Sequence, residues 1–263
     1  MNSKVIIKRL LWSMVCLLFI QFASAQETEK KVNPVYIGGV INATTKGIST
    51  IPNMTLGKPA LVVDLMVGQG RLSFKPQFRF ALEGKPWSFT FWGRYKLLQN
   101  EKWRVHIGAH PAVVFQYLKV TENGSSRDII RGNRYLAGEG GASYSLTKNI
   151  SVGPYSIYSR AMEKDLVRNT YYLTMWVNFS NIWLSEQYSM SFNPQIFYVK
   201  MDKPHGFYVA AGVTLSKKDF PVSVSGFINH KIKTDILVGS NLLWNVSVSY
   251  SFYNELFAAK RNR

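Results

Sequence analysis

Cys16 is the only cysteine in the 263 residues. The chain also lacks any run of eighteen apolar residues after its first stretch, and any useful length of apolar repeat at helical spacing. Acids are few, with 15 Asp and Glu against 32 Lys and Arg. Each shortage excludes something. One cysteine forms no intrachain disulfide and holds no thiolate metal cluster. Without long apolar runs no helix in the body of the chain can cross a bilayer. The mean hydropathy of −0.06 is far below that of a helical membrane protein. Phosphate-cradling loops of the G-x-x-x-x-G-K or G-x-G-x-x-G type are absent from any strand-to-helix setting. The shortage of acids leaves a net charge of +17. Such a charge suits an anionic membrane surface, anionic solutes or nucleic acid.

The first residues narrow that choice. Lys4, Lys8 and Arg9 precede an apolar run from Leu10 to Phe22, broken only by Ser13 and Gln21. Ala23-Ser24-Ala25 follows, a small-residue cleavage site. This is the layout of a secretory signal peptide, so residues 1–25 are expected to be removed. A membrane anchor is the alternative, but the run is short for a span and ends in the cleavage motif. A lipoprotein would need small residues before Cys16, where Ser13-Met14-Val15 stands. Cleavage removes Cys16 and leaves 29 basic against 15 acidic residues, a net charge of +14. Export also argues against nucleic acid as a partner.

What fills the rest of the chain is alternation. Hydrophobic residues make up 46% and aromatics 14%. In the last segment Asn245, Ser247, Ser249 and Ser251 alternate with Val246, Val248, Tyr250 and Phe252. Successive side chains of a strand point to opposite faces, so one face is polar and the other apolar. Leu72, Phe74, Phe78 and Phe80 likewise oppose Ser73, Lys75, Gln77 and Arg79. Phe89, Phe91 and Tyr95 oppose Ser88, Thr90, Arg94 and Lys96. Segments around Tyr171–Ser180, Phe207–Ser216 and Val222–Asn229 repeat the pattern. Runs of roughly ten alternating residues separated by turn signals mark strands with one greasy and one wet face. The count is about twelve strands, and ten or fourteen also fit.

Turns at Gly68-Gln69-Gly70, Gln99-Asn100-Glu101 and Thr147-Lys148-Asn149 are short, whereas segments 46–58, 119–131 and 231–240 read as longer loops. That asymmetry puts the short turns and both termini on one side. Glu83-Gly84-Lys85-Pro86 would then be an unusually tight loop on the other side. Trp87, Trp103, Trp183, Trp244, Tyr117 and Tyr198 fall near strand ends, as residues of an aromatic interface girdle would.

The closing strand resembles the C-terminal signal of outer-membrane β-barrel proteins of Gram-negative bacteria, in which alternating apolar residues end on an aromatic. Here these are Val246, Val248, Tyr250 and Phe252. The chain departs from that pattern by continuing past Phe252 to Lys260-Arg261-Asn262-Arg263. The resemblance is one of class. It implies an all-β transmembrane antiparallel barrel over residues 34–252, after a short periplasmic leader at 26–33 and before a basic tail at 253–263. It implies the cell outer membrane as location. The implied partners are outer-membrane lipids, lipopolysaccharide and the barrel-assembly machinery.

The candidate site is the wet face. Arg71, Lys75 and Arg79 are expected on one strand, Arg94 and Lys96 on the next, and Arg104 and His106 on the third. A basic stripe in a pore favours anions. Asp64 and Glu139 are candidates to pair with some of these cations, since buried charge must be paired or solvated. His106 and His110 share a face but stand ~13 Å apart on a strand, too far to share a metal ion. No metal, cofactor or catalytic residue is expected. No His-x-Ser spacing suggests a lipid hydrolase, although a cross-strand pair stays open. Glycines 138, 140 and 141 mark a bend or a close approach within a strand. The function that follows is a narrow channel for small polar or anionic solutes. An interaction or assembly barrel without a channel is the alternative, and a lipid-modifying enzyme the third.

Overall fold

The computed structural model describes residues 33–256 apart from 123–124 and 238–239, without the side chains of Asn53, Glu122 and Ser125. The expected signal peptide, residues 26–32 of the leader and residues 257–263 lie outside the described residues.

Alternating segments become strands because each can turn its apolar side outward and its polar side inward. They are β1 (Val35–Thr44), β2 (Ala60–Gln69), β3 (Leu72–Ala81), β4 (Pro86–Gln99), β5 (Trp103–Glu122) and β6 (Ser125–Ser145). These are followed by β7 (Ile150–Ala161), β8 (Asn169–Trp183), β9 (Tyr188–Met201), β10 (His205–Lys217), β11 (Val222–Thr234) and β12 (Leu242–Leu256). Every strand pairs antiparallel with its sequence neighbours, and β1 pairs with β12 to close a twelve-stranded barrel. Closure leaves no open edge, which backbone in a hydrocarbon medium requires.

Leu173, Met175, Phe207 and Val248 each leave about half their surface exposed on the outer face. Moving such side chains from water into hydrocarbon is worth roughly 1.5–3 kcal/mol apiece. Among the described residues no helix is long and apolar enough to cross a membrane.

One end of the barrel carries short turns, at 70–71, 100–102, 146–149, 184–187 and 218–221. Gly70, with φ of 56°, supplies the left-handed first position of the two-residue turn between Gln69 and Leu72. Arg71 occupies the second position, so it sits in a turn at the barrel rim and not on a strand. The other end carries the segments 45–59, 162–168 and 235–241. The tight connection there is Leu82–Lys85, made feasible by Gly84 at φ 84°.

Three further expectations need correction. The 119–131 segment is mostly strand, because β5 and β6 run on together as a two-stranded ribbon past the wall. β4 stops covering β5 at Val114, and β7 meets β6 only from Tyr135. Water wets both faces of this ribbon, so alternation is not enforced and the sequence reads as loop. Second, Tyr253–Leu256 extend β12, because Val35–Gly38 of β1 give them partners and Tyr253 stacks on Tyr36 at 6.4 Å. Third, Trp87 is no interface girdle residue. A β-bulge where β4 faces Arg79 and Phe80 makes Trp87 the extra residue. It is only 4% exposed, and its indole N–H donates to the Met54 carbonyl at 2.9 Å.

The ribbon is tied to the 162–168 loop by Arg131–Asp165 at 2.5 Å and Arg134–Glu163 at 2.9 Å. The Arg131 and Arg134 guanidiniums hold both carboxyls below the usual carboxylate range. The ties therefore exist at neutral pH and are lost as pH falls through those lowered values. Replacing Asp165 by Asn and Glu163 by Gln should speed amide exchange across 126–134. The unfolding midpoint of the barrel should not move, because exposed ion pairs add little to global stability. Unchanged exchange would mean that the ribbon is held by its own ladder alone.

Candidate functional site

The lumen wall is built by the inward residues of every strand, and its two halves differ in chemistry. Pairing of Val62 with Arg79, Asp64 with Gln77, Ser73 with Arg94 and Lys96 with His106 puts these residues on one inner face across β2–β5. Arg104 lines the same vestibule, a cavity of about 620 Å³ toward the turn end. Lys75, Arg79, Arg94, Lys96, Arg104 and His106 thus share the basic wall, with Asp64 beside them. Arg71 stands apart at the rim.

Glu139 is the centre of that wall, and glycine explains how. In the pairing across β4, β5 and β6, Arg94 faces Gly108, and Gly108 faces Glu139. The missing side chain lets Arg94 reach over β5. A Cβ on Gly108 would stand 2.6 Å from Glu139 Oε1. The next inward row repeats the device, with His106 facing Gly141 and Gly141 facing Tyr155. Arg94 Nε donates to Glu139 Oε1, and Nη2 donates to Oε2 at 3.0 Å. The Tyr155 hydroxyl also donates to Oε2, and His106 Nε2 lies 3.9 Å from Oε1. The carboxylate is fully buried. Arg94 is held from its other side by the Trp92 ring, 4.8 Å away. Asp64 is engaged differently, accepting a hydrogen bond from Gln77 rather than from an arginine.

Two carboxylates therefore do not cover the cations. Among the described residues, Lys75, Arg79 and Arg104 make no hydrogen bond or ion pair. Arg79 lies over the Trp87 ring at 5.0 Å and Lys96 over Tyr36 at 5.5 Å. Tyr36 in turn covers Gly68, its cross-strand partner, where a Cβ would clash at 2.2 Å.

The opposite wall carries no such charge on its turn-end half, where Asn178, Asn193 and Gln195 line the vestibule. Nearer the loop end the wall is apolar, contrary to the expected polar lumen. Tyr172, Phe197, Val199 and Tyr208 point inward and are almost fully buried. Phe197 and Tyr208 stack at 5.0 Å and 8°. Three connections fold in upon this patch, with Ile236 buried in it and Ile51 and Val167 packed against it. The segment 45–59 is the largest of them. Lys46 and Gly47 anchor its base through Asn245 Nδ2 donating to the Lys46 carbonyl at 3.0 Å and Gly47 N–H donating to Lys58 O at 2.7 Å. A single 3-10 turn at Pro52–Met54 shapes its tip. The tip touches both walls: Met54 takes the Trp87 N–H on the basic side and Ile51 packs on the apolar side.

Sequence reasoning did not find this inward loop. Its one signal was Ile51, Met54 and Leu56, apolar residues in a connection that reads as exposed. His106 and His110 remain separate: His106 Nε2 lies 3.9 Å from Glu139, whereas the His110 ring packs tilted against Trp92 with ring centres 3.7 Å apart. Among the described residues no cluster of ligand side chains could hold a metal ion.

No protein-family model and no curated protein matches the chain. Solved structures similar to it include an outer membrane channel from Pseudomonas putida F1, at 8% identity and a TM-score of 0.46. That match covers 88% of this chain and 100% of the other. The NanC porin is similar at 12% identity and a TM-score of 0.47, over 84% of this chain and 99% of the other. The KdgM porin is similar at 13% identity and a TM-score of 0.45, over 82% and 99%. These likenesses say nothing of the site, whose reading rests on the geometry above. The closed twelve strands, apolar outer face and polar vestibule make the chain an antiparallel β-barrel that resembles outer-membrane barrel proteins in fold.

Proposed function

We propose that the barrel is a narrow channel for small anionic solutes, constricted by the inward loop 45–59. The single observation that carries this reading is the unbalanced wall. Among the described residues, Lys75, Arg79 and Arg104 face the lumen without a hydrogen bond or ion pair, while Asp64 accepts from Gln77 and Glu139 from Arg94. Fixed cations along a narrow lumen lower the barrier for anions and raise it for cations. The neutral amides opposite can hydrogen-bond a solute without trapping it.

The test is single-channel recording of the refolded chain in a planar bilayer under a tenfold salt gradient. The reversal potential should have the sign of anion preference. Changing Lys75 and Arg104 to Gln should move it toward zero, because these cations have no carboxylate to leave stranded. Cation preference, or an unmoved potential in the double variant, would refute the basic wall as the selectivity element.

A barrel that conducts nothing is the second reading. The observation favouring it is the apolar patch at the loop end, where Ile51, Val167 and Ile236 converge. Silence in the bilayer from correctly folded protein would support an interaction or assembly role.

A further inference from the structure

The tip of the 45–59 loop does not lie flat on the basic wall. It leaves a cavity of about 130 Å³ beneath it. That is small beside the roughly 300–1,000 Å³ of drug-sized pockets. It suits a solute of a few non-hydrogen atoms.

The lining is divided. Arg79, Ser88 and His110 of the barrel wall supply one side, and Ile51 and Met54 of the loop the other. Arg79 is the fixed cation here. Its guanidinium lies against the Trp87 ring, and that ring is itself anchored to Met54 by the indole N–H. The fork is thus oriented by the same loop that roofs the cavity, yet none of its donors has a partner among the described residues. Thr90 also lines the cavity, and its buried Oγ1 has no hydrogen-bond partner. A buried polar group without a partner is uncommon in a folded protein.

Charge and polarity define the occupant. One unengaged guanidinium balances one negative charge, and its planar fork matches the two oxygens of a carboxylate. The apolar half rewards a short carbon tail and penalises a hydrated polyanion such as phosphate. We propose that this cavity is a binding site for a short-chain monocarboxylate, with Arg79 on the carboxylate and Ile51 and Met54 on the tail. The site deepens the reading of the lumen as an anion route, and rests on it for its role. Loop 45–59 then serves as the roof that makes solute selection stricter than charge alone.

The experiment is calorimetric titration of butyrate, and separately of inorganic phosphate, into the refolded full chain in detergent. Butyrate should bind saturably, once per barrel, and more tightly than phosphate. Arg79→Gln should weaken it by about tenfold or more, the worth of a charged hydrogen bond. Met54→Ser, on the loop and outside the barrel ladder, keeps the backbone carbonyl that takes the Trp87 N–H and should weaken butyrate while leaving the barrel folded, which guards against misfolding of the Arg79 variant. No saturable butyrate binding, or equal affinity for phosphate with no effect of either variant, would overturn the site. Conductance with anion preference but no butyrate binding would sink the site and spare the channel. Binding in a barrel that conducts nothing would keep the site and sink the channel.

Discussion

Replacing residues 48–56 by two glycines should raise single-channel conductance about two- to fivefold, on the rule that the narrowest part of a lumen limits flow. The expectation follows from the position of the loop tip. Thr50 borders both the 130 Å³ cavity and the 620 Å³ vestibule, so the tip lies between them. Ile51 and Met54 bridge the two walls. The deletion also removes a burial worth roughly 1.5–3 kcal/mol and one indole hydrogen bond of about 1 kcal/mol. The barrel wall itself keeps every ladder, because β1 and β2 end outside the deleted stretch. A small loss of stability with a large gain in current is the signature expected. Unchanged conductance in a folded variant would mean that the constriction lies elsewhere, the convergence of Val167 and Ile236 being the next place to look.

The second large effect is on stability. Glu139→Ala should lower the unfolding free energy by about 3 kcal/mol, the lower end of the range for breaking a buried ion pair. Two arguments place it there. The Glu139 carboxylate is fully buried and takes donors from Arg94 and Tyr155, so its loss strands both. Arg94, however, keeps about a quarter of its side chain open to the lumen and retains the Trp92 ring. Water and the ring soften the cost. Glu139→Gln should be milder, since an amide oxygen still accepts from Tyr155. Urea unfolding in lipid vesicles followed by tryptophan emission is the measurement. A loss below about 1 kcal/mol for the alanine variant would show that lumen water already screens the pair. Removing a negative charge should at the same time strengthen anion preference, which a repeat of the bilayer recording reads directly.

Much of this architecture is legible in the chain. Period-two alternation assigns Phe74 and Phe78 outward and Lys75 and Arg79 inward without any knowledge of neighbours. The same pattern counts the strands. It works because each strand faces two different solvents, and a one-residue slip would reverse every side chain. The pattern fails where that contrast weakens. On β10 the residues that alternate with Phe207, Val209 and Ala211 are Tyr208, Ala210 and Gly212, so neither face is polar there. Only Thr214 and Ser216, further along the strand, mark its inner face. On the β5–β6 ribbon both faces are wet, and the strands pass for loop.

The site itself divides along the same line. That basic residues gather on an inner face was determined by sequence alone, because inward parity is a local property of each strand. Which cation finds a carboxylate was decided only by tertiary structure. Arg94 and Glu139 are separated by a whole strand, and their meeting depends on the register of β4 on β5 and of β5 on β6. Gly108 matters only because that register places it between them. The bulge that turns Trp87 inward and the folding of Ile51 and Met54 into the lumen are likewise products of packing. A loop can bury apolar residues only against a surface that the closed barrel creates, and residues far apart in the chain build that surface together.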